Sequence, residues 1–115
     1  MTTTMYGISN CDTIKKAKKH LESTHHAFTF HDYRKDGLDE QLLCQLEALF
    51  GWEAMVNKRG TTYRQLTDEQ KQSLNKESAI ALMLESPAII KRPILLSGNT
   101  ALIGYKAADY DALGA

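Results

Sequence analysis

Apolar residues along the chain recur at two spacings, which predict strands and helices in a definite order. Residues 5–8 form a short apolar run that predicts a strand. The next apolar positions follow the i, i+3, i+7 spacing of one helix face: Ile14, Ala17 and Leu21. Phe28 and Phe30 return to a period of two and predict a second strand. Two strands joined by one helix predict a right-handed parallel β-α-β unit.

The middle of the chain predicts helices. An apolar face is formed by Leu42, Leu43, Leu46, Leu49 and Phe50. Gly51 is expected to end that helix. The segment NKRGTTYRQL predicts a loop, and Thr67 with Gln70 has the spacing of a capping box at the start of a short helix. ESAIALMLES predicts a further helix that ends before Pro87.

The last third predicts a hairpin and a helix. RPILL and TALIGY predict strands, Gly98-Asn99 between them favours a tight turn, and KAADYDALG predicts a closing helix. The complete order is β-α-β, a helical stretch, then β-β-α. That order is typical of the α/β thioredoxin-like (glutaredoxin-like) fold. We therefore expect one domain over residues 1–115, with its core at about 1–37 and 87–115 and a helical insert at about 38–86.

Composition narrows the class of protein. The 115 residues suit one domain, and 43% hydrophobic with 24% charged residues is ordinary for a globular chain. A net charge of zero disfavours a nucleic-acid binder. No apolar run approaches the roughly 20 residues that span a membrane, and MTTTMYG has no signal-peptide stretch. We therefore expect a cytoplasmic protein, monomeric by default, whose thiols stay reduced.

Cys11 lies where the first predicted strand gives way to the first predicted helix. Unpaired N–H groups and the helix dipole at such a position lower a thiol pKa, and the thiolate is the nucleophilic form. Asp12 opposes this effect, because a like charge raises the thiol pKa. A buried structural cysteine is the competing interpretation, and position alone does not separate the two.

The second cysteine, Cys44, falls nearly opposite the leucines of its helix and is expected on an exposed polar face. Ile14 stands where a CxxC motif would have its second cysteine. If Cys11 is a redox nucleophile, the second thiol is then expected to come from outside, and glutathione is the simplest donor.

Charged and histidine side chains suggest further possibilities. The histidines at 20, 25, 26 and 31 match no zinc pattern, so we expect surface histidines and no metal site. The sequence has lysines at positions 15, 16, 18 and 19. They either form a solvated helix face or attract an acidic substrate such as glutathione. Arg92 precedes Pro93 in a candidate cis bond and a predicted strand, where a guanidinium can bind a carboxylate or oxyanion.

Five segments in this order resemble the ArsC/Spx family, and within it the YffB-like branch: MYGISNCDTIKKA, FHDYRKDGL, NKRGTTYRQL, KRPILL and LIGYK. The resemblance covers nearly the whole chain and implies a thioredoxin-like fold with a helical insert. It implies that Cys11 is the catalytic cysteine and that Arg92 helps to bind an oxyanion. Arg59 matches a second oxyanion-binding arginine, with Lys58 as a competing match, and Asn10 and Thr13 beside Cys11 are further substrate-binding candidates.

The sequence also departs from the arsenate reductases it resembles. Those enzymes have a histidine at the position of Gly7, a serine at that of Ile14 and a third arginine near Gly104, where this chain offers Lys106. The YffB-like branch instead resembles glutathione-dependent thiol reductases, with no bound cofactor. We therefore expect such an oxidoreductase, with glutathione and a small thiol, disulfide or oxyanion as partners. The alternatives are a true arsenate reductase and an Spx-like regulator that binds RNA polymerase.

Overall fold

The computed structural model describes residues 3–9 and 11–113. The chain divides into two compact units. The first combines residues up to Asp36 with those from Arg92 onward, and the second comprises Gly37–Lys91. The organisation as one domain with an insert stays a prediction.

The described part of the first unit is a mixed four-stranded sheet with two helices. Its elements are β1 (Thr3–Gly7), α1 (Asp12–Ser23), β2 (Thr29–Asp32), β3 (Ile94–Ser97), β4 (Thr100–Ile103) and α7 (Ala107–Leu113). The sheet order is β2-β1-β3-β4. β1 and β2 are parallel, whereas β1–β3 and β3–β4 are antiparallel. The predicted α/β class, the parallel β-α-β unit and the terminal hairpin are confirmed.

One apolar cluster fixes α1 and α7 against the sheet. Met5 of β1 and Leu95 of β3 contribute from the strands. The helices contribute the predicted face of α1 and one residue of α7: Ile14, Ala17, Leu21 and Tyr110. All six are at most 1% exposed. Burial of this size, worth about 1.5–3 kcal/mol for each large apolar side chain, holds the start of α1 in place.

The second unit is helical. Its elements are α2 (Glu40–Phe50), α3 (Trp52–Met55), α4 (Thr61–Arg64), α5 (Asp68–Gln72), α6 (Lys76–Glu85) and a 3₁₀ turn at Pro87–Ile89. Gly51 ends α2 with a φ of 83°, a conformation that glycine adopts without strain. Thr67 and Gln70 form the predicted capping box at α5. An isolated bridge joins Val56 to Ile90.

Two predictions for this unit are wrong in part. The segment predicted as loop contains the single-turn helix α4, and α3 was not expected. Four-residue helices are too short to show a hydrophobic period. The predicted apolar face of α2 buries only Leu43 and Leu46, and Leu49 is 57% exposed. Part of the predicted apolar face of this helix is therefore exposed.

Candidate active site

Cys11 is the N-cap residue of α1. Its backbone is extended, with φ −147° and ψ 129°, and its carbonyl oxygen accepts the first helical hydrogen bond from Lys15 N–H at 3.1 Å. The side chain is half-buried and packs against the core cluster. The predicted position of Cys11 at the start of the helix is therefore confirmed. Its sulfur is a free thiol.

The surroundings of the sulfur favour the thiolate. Partial burial by itself raises the pKa of Cys11. The N–H groups of Ile14 and Thr13 and the guanidinium of Arg92 outweigh burial, and the pKa is lowered from its ordinary value of 9.0. Unpaired N–H groups at a helix N-terminus and a cation beside the sulfur both stabilise negative charge. The arrangement therefore supports a nucleophile.

Sheet topology explains why Arg92 lies beside Cys11. β3 runs antiparallel to β1, with Ile94 opposite Tyr6, so the start of β3 lies next to the end of β1. Arg92 comes just before β3, and Cys11 follows shortly after β1. The Arg92–Pro93 bond is cis, as predicted, and Pro93 is buried. Two residues far apart in sequence thus meet at one end of two neighbouring strands.

Ser9, Asp32 and Tyr33 lie near this end of the sheet, and the sequence pattern assigned no role to them. Asp32 is 3% exposed, and its Oδ2 accepts a hydrogen bond from Ser9 N–H at 3.2 Å. Tyr33 N–H donates to the Gly7 carbonyl at 2.9 Å. The Tyr33 hydroxyl is buried without a hydrogen-bond partner among the described residues. Burial, and to a lesser extent Tyr6, raises its pKa, so the phenol stays protonated.

The sequence does contain a signal for Asp32, which is a charged residue at a position of β2 that the alternation predicts to be buried. Phe28 and Phe30 precede it at a period of two, and that alternation places Asp32 on their side of the sheet. A carboxylate at such a position needs hydrogen-bond donors. Which donors it finds depends on Ser9, 23 residues earlier, and local pattern does not reveal that pairing.

Gly7 and Ile14 fill one space together. A Cβ added to Gly7 would lie 2.5 Å from Cδ1 of Ile14 and 3.2 Å from its Cγ1. Ile14 is fully buried. Both positions are polar in the arsenate reductases that the sequence resembles, and in this structure the Ile14 side chain occupies the space that a side chain at Gly7 would need. Gly7 and Ile14 are both buried, so this contact lies in the interior beside the start of α1.

The remaining predicted site residues have different places. Thr13 is half-buried in the first turn of α1, and its N–H acts on the Cys11 sulfur. Asn10 lies outside the described residues. Lys58 and Arg59 belong to the second unit, where both line a cavity of about 420 Å³ together with Lys91. A role for Arg59 at the active cysteine stays a prediction.

Cys44 is exposed on α2, as expected from the helical wheel, and it belongs to the second unit. Within α1, Lys18 lies over the Phe30 ring, with Nζ 3.7 Å from the ring centre. Two other lysines of the run, Lys16 and Lys19, line a shallow cavity of about 330 Å³ with Tyr105.

The expectation of surface histidines is wrong for His20. Its Nδ1 lies 2.7 Å from the Tyr105 hydroxyl, and its Nε2 lies 2.7 Å from Asp111 Oδ1. The partners are 85 and 91 residues away in sequence, which is why spacing did not indicate them.

Among residues 3–9 and 11–113 no three His, Cys, Asp or Glu side chains are grouped as a metal site. No helix in the same ranges is long and apolar enough to cross a membrane.

Comparison with known families places this geometry in context. The model of the ArsC family matches residues 6–113, so the chain belongs to the ArsC family. An uncharacterized protein of Haemophilus influenzae is 50% identical over 109 residues, which cover 95% of this chain and 96% of that protein. The global transcriptional regulator Spx 1 of Bacillus cereus is 24% identical over 106 residues, covering 89% of this chain and 79% of the regulator.

Solved structures agree with this assignment. The protein named YFFB (PA3664) has a TM-score of 0.91 and 43% identity, covering 99% of this chain and 100% of that one. An arsenate reductase (ArsC) related protein from Brucella melitensis has a TM-score of 0.83 and 42% identity, covering 97% of this chain and 93% of that one. The thioredoxin-like fold and the resemblance to the YffB-like branch are confirmed.

Proposed function

We propose that this protein is a glutathione-dependent thiol reductase in which Cys11 is the only catalytic cysteine. The observation that carries the proposal is the Cys11 sulfur at the open end of α1, with its pKa lowered by two N–H groups and by Arg92 against the effect of burial. A lowered pKa raises the thiolate fraction at neutral pH, and the thiolate is the attacking species.

The sequence of bond changes balances without a bound cofactor. The Cys11 thiolate attacks the glutathione sulfur of a glutathionylated thiol, a Cys11–glutathione disulfide forms, and the substrate thiolate leaves. A second glutathione, as thiolate, then attacks the glutathione sulfur of that mixed disulfide. Cys11 leaves as a thiolate, and oxidised glutathione is released as the oxidised product. The solvent returns a proton to the substrate thiol.

An external resolving thiol fits the surroundings of Cys11. Ile14 stands in the CxxC position, and its side chain is fully buried in the core. Cys44 is exposed and belongs to the second unit. The reaction also requires a reducing compartment, which fits the expected cytoplasmic location.

Anion-binding roles complete the proposal. Arg92 would orient a carboxylate of glutathione or of the substrate, and the N–H groups of Thr13 and Ile14 would stabilise a developing negative charge by donating hydrogen bonds to it. Asn10 and Arg59 are further substrate-binding candidates from the family resemblance. Lys16 and Lys19 carry positive charge on α1 and would raise the local concentration of acidic glutathione.

Intact-mass measurement after treatment with oxidised glutathione tests the mechanism. Wild type and Cys44→Ser are expected to gain one glutathione at Cys11, and reduced glutathione is expected to remove it. Cys11→Ser controls for adducts at Cys44. An adduct that forms in Cys11→Ser and not in Cys44→Ser refutes the mechanism.

A second candidate function is a regulator that binds RNA polymerase, favoured by the similarity to Spx 1 over 89% of this chain. It predicts co-purification with the polymerase α subunit that persists in Cys11→Ser. A third candidate, arsenate reduction, is disfavoured by the apolar Gly7–Ile14 contact. Arsenate-dependent oxidation of glutathione by wild type, lost in Cys11→Ser, would establish it.

A further inference from the structure

Asp32 is a buried carboxylate for which the proposed mechanism has no use. It lies at the end of β2, directly opposite Gly7 in the parallel pair, and is 3% exposed. A buried carboxylate is unfavourable unless several donors compensate it. Burial raises the pKa of Asp32, but the N–H groups around it and the Ser9 hydroxyl outweigh burial and lower it. The group is therefore ionised and held by hydrogen bonds.

The two oxygens of this carboxylate have different partners. Oδ1 accepts from Arg34 N–H at 2.8 Å and from Lys35 N–H at 3.3 Å, which are contacts within the turn after β2. Oδ2 accepts from Ser9 N–H at 3.2 Å, a contact with the segment between β1 and α1. The turn alone requires one side-chain acceptor, which asparagine also has. Only the contact with Ser9 requires the second oxygen.

Ser9 is close enough in the chain to affect Cys11. Two residues of chain span at most about 7 Å, so fixing Ser9 restricts where Cys11 can lie. From the other side, α1 holds Cys11 through its hydrogen bond to Lys15 N–H and through buried Ile14. A helix end that is held from one side only tends to fray.

We propose that Asp32 is a positioning residue for Cys11: its second carboxylate oxygen holds Ser9, so that the Cys11 sulfur stays aligned with the first turn of α1 and with Arg92. The proposal rests on the proposed function, because it concerns the same nucleophile. The proposal predicts the direction in which the Cys11 pKa changes when Asp32 is replaced. As a negative charge, Asp32 disfavours the thiolate, so its neutralisation alone would lower the Cys11 pKa. Loss of positioning raises that pKa.

The variant Asp32→Asn separates the two effects, since it keeps one acceptor for the turn and removes the one for Ser9. The pKa of Cys11 is measured from the pH dependence of alkylation by iodoacetamide, in a Cys44→Ser background with one reactive thiol. We expect the pKa to rise toward 9.0. Once the pKa lies above the assay pH, each further unit of rise lowers the thiolate fraction about tenfold.

Asp36→Asn is the matched control. It removes the same charge from the same turn, and its amide oxygen can still accept the Asp32 N–H that Asp36 Oδ2 accepts at 2.9 Å. We expect no rise in the Cys11 pKa in this control. An unchanged or lowered pKa in Asp32→Asn overturns the proposal.

A second measurement covers the case in which Asp32→Asn does not fold. Amide hydrogen exchange of the protein without the Asp32 substitution reports directly on the bond at Ser9. We expect the Ser9 N–H to exchange as slowly as the paired amides of β1, and exchange at the rate of an open loop overturns the proposal. Neither measurement uses glutathione. Failure of the glutathione adduct would therefore refute the proposed function separately from this one.

Discussion

Substitution of Gly7 by alanine tests the packing beside Cys11 most directly. The added Cβ would lie 2.5 Å from Cδ1 of Ile14, whereas carbon atoms in favourable contact are about 3.5–4.0 Å apart. Ile14 would therefore have to retreat by about 1 Å to restore an ordinary contact. Because Ile14 is fully buried, it has no solvent to move into. We expect Gly7→Ala to lower the free energy of unfolding by about 1–3 kcal/mol, the usual cost of overpacking.

A second substitution identifies Ile14 as the cause. Ile14→Val removes Cδ1, the atom that the new Cβ meets at 2.5 Å, and is expected to cost about 0.5–1.5 kcal/mol by itself. In that background the Cβ meets mainly Cγ1 at 3.2 Å, a contact that a small shift relieves. The double variant is therefore expected to be more stable than the sum of the single effects predicts, by about 1–2 kcal/mol.

Urea unfolding followed by far-ultraviolet circular dichroism supplies the four free energies of this cycle, and unchanged m-values show that the comparison is valid. Gly7→Ala combined with Ile90→Val is the control, because Ile90 is equally buried but is not among the nearest neighbours of the added Cβ. Additivity within about 0.5 kcal/mol is expected there. If the Ile14 pair is also additive, or if Gly7→Ala is neutral, the reasoning about this contact is refuted.

Three further predictions concern charge and capping. Arg92→Ala is expected to raise the Cys11 pKa in the alkylation assay, and an unchanged pKa would contradict the role of the guanidinium. Because the folded-state pKa of Cys11 is lowered, its ionisation stabilises the fold fully above about 9 and not below the lowered value. Unfolding of wild type and Cys11→Ser should accordingly show a difference that grows in favour of wild type as pH rises through that window; a constant difference would contradict it. Thr67→Ala removes an N-cap and is expected to cost about 1 kcal/mol in urea unfolding, against no more than about 0.5 kcal/mol for the exposed Thr61→Ala.

Local patterns in the sequence predicted the elements that carry a repeated signal. The face of α1 follows from three apolar residues at helical spacing, and the capping box at α5 from Thr67 and Gln70. The hairpin follows from Gly98-Asn99, since Ser97 and Thr100 pair directly across it. In each case the residues that form the structure are close neighbours in the chain, so one short window contains the whole signal.

Contacts between distant segments were beyond such patterns. His20 is paired with Tyr105 and Asp111, and Asp32 with Ser9, and no local period indicates either pairing. The candidate site shows the same division. The position of Cys11 follows from a strand followed by a helix, whereas its contact with Arg92 depends on the antiparallel pairing of β1 with β3.

The Gly7–Ile14 contact leads to a last prediction, about how this chain differs from the arsenate reductases that it resembles. Those enzymes have histidine and serine at these positions. Gly7→His alone would force a larger side chain into the space of Ile14, so we expect it to destabilise the protein more than Gly7→Ala does. Ile14→Ser alone loses buried apolar volume, at a cost of about 2–5 kcal/mol by analogy with truncation to alanine. The double variant is expected to be less destabilised than the sum, because serine vacates the space that the imidazole enters, and urea unfolding measures that coupling. A coupling of zero would mean that the two positions vary independently. A favourable coupling would mean that the cost of a large side chain at position 7 depends on the volume of the side chain at position 14.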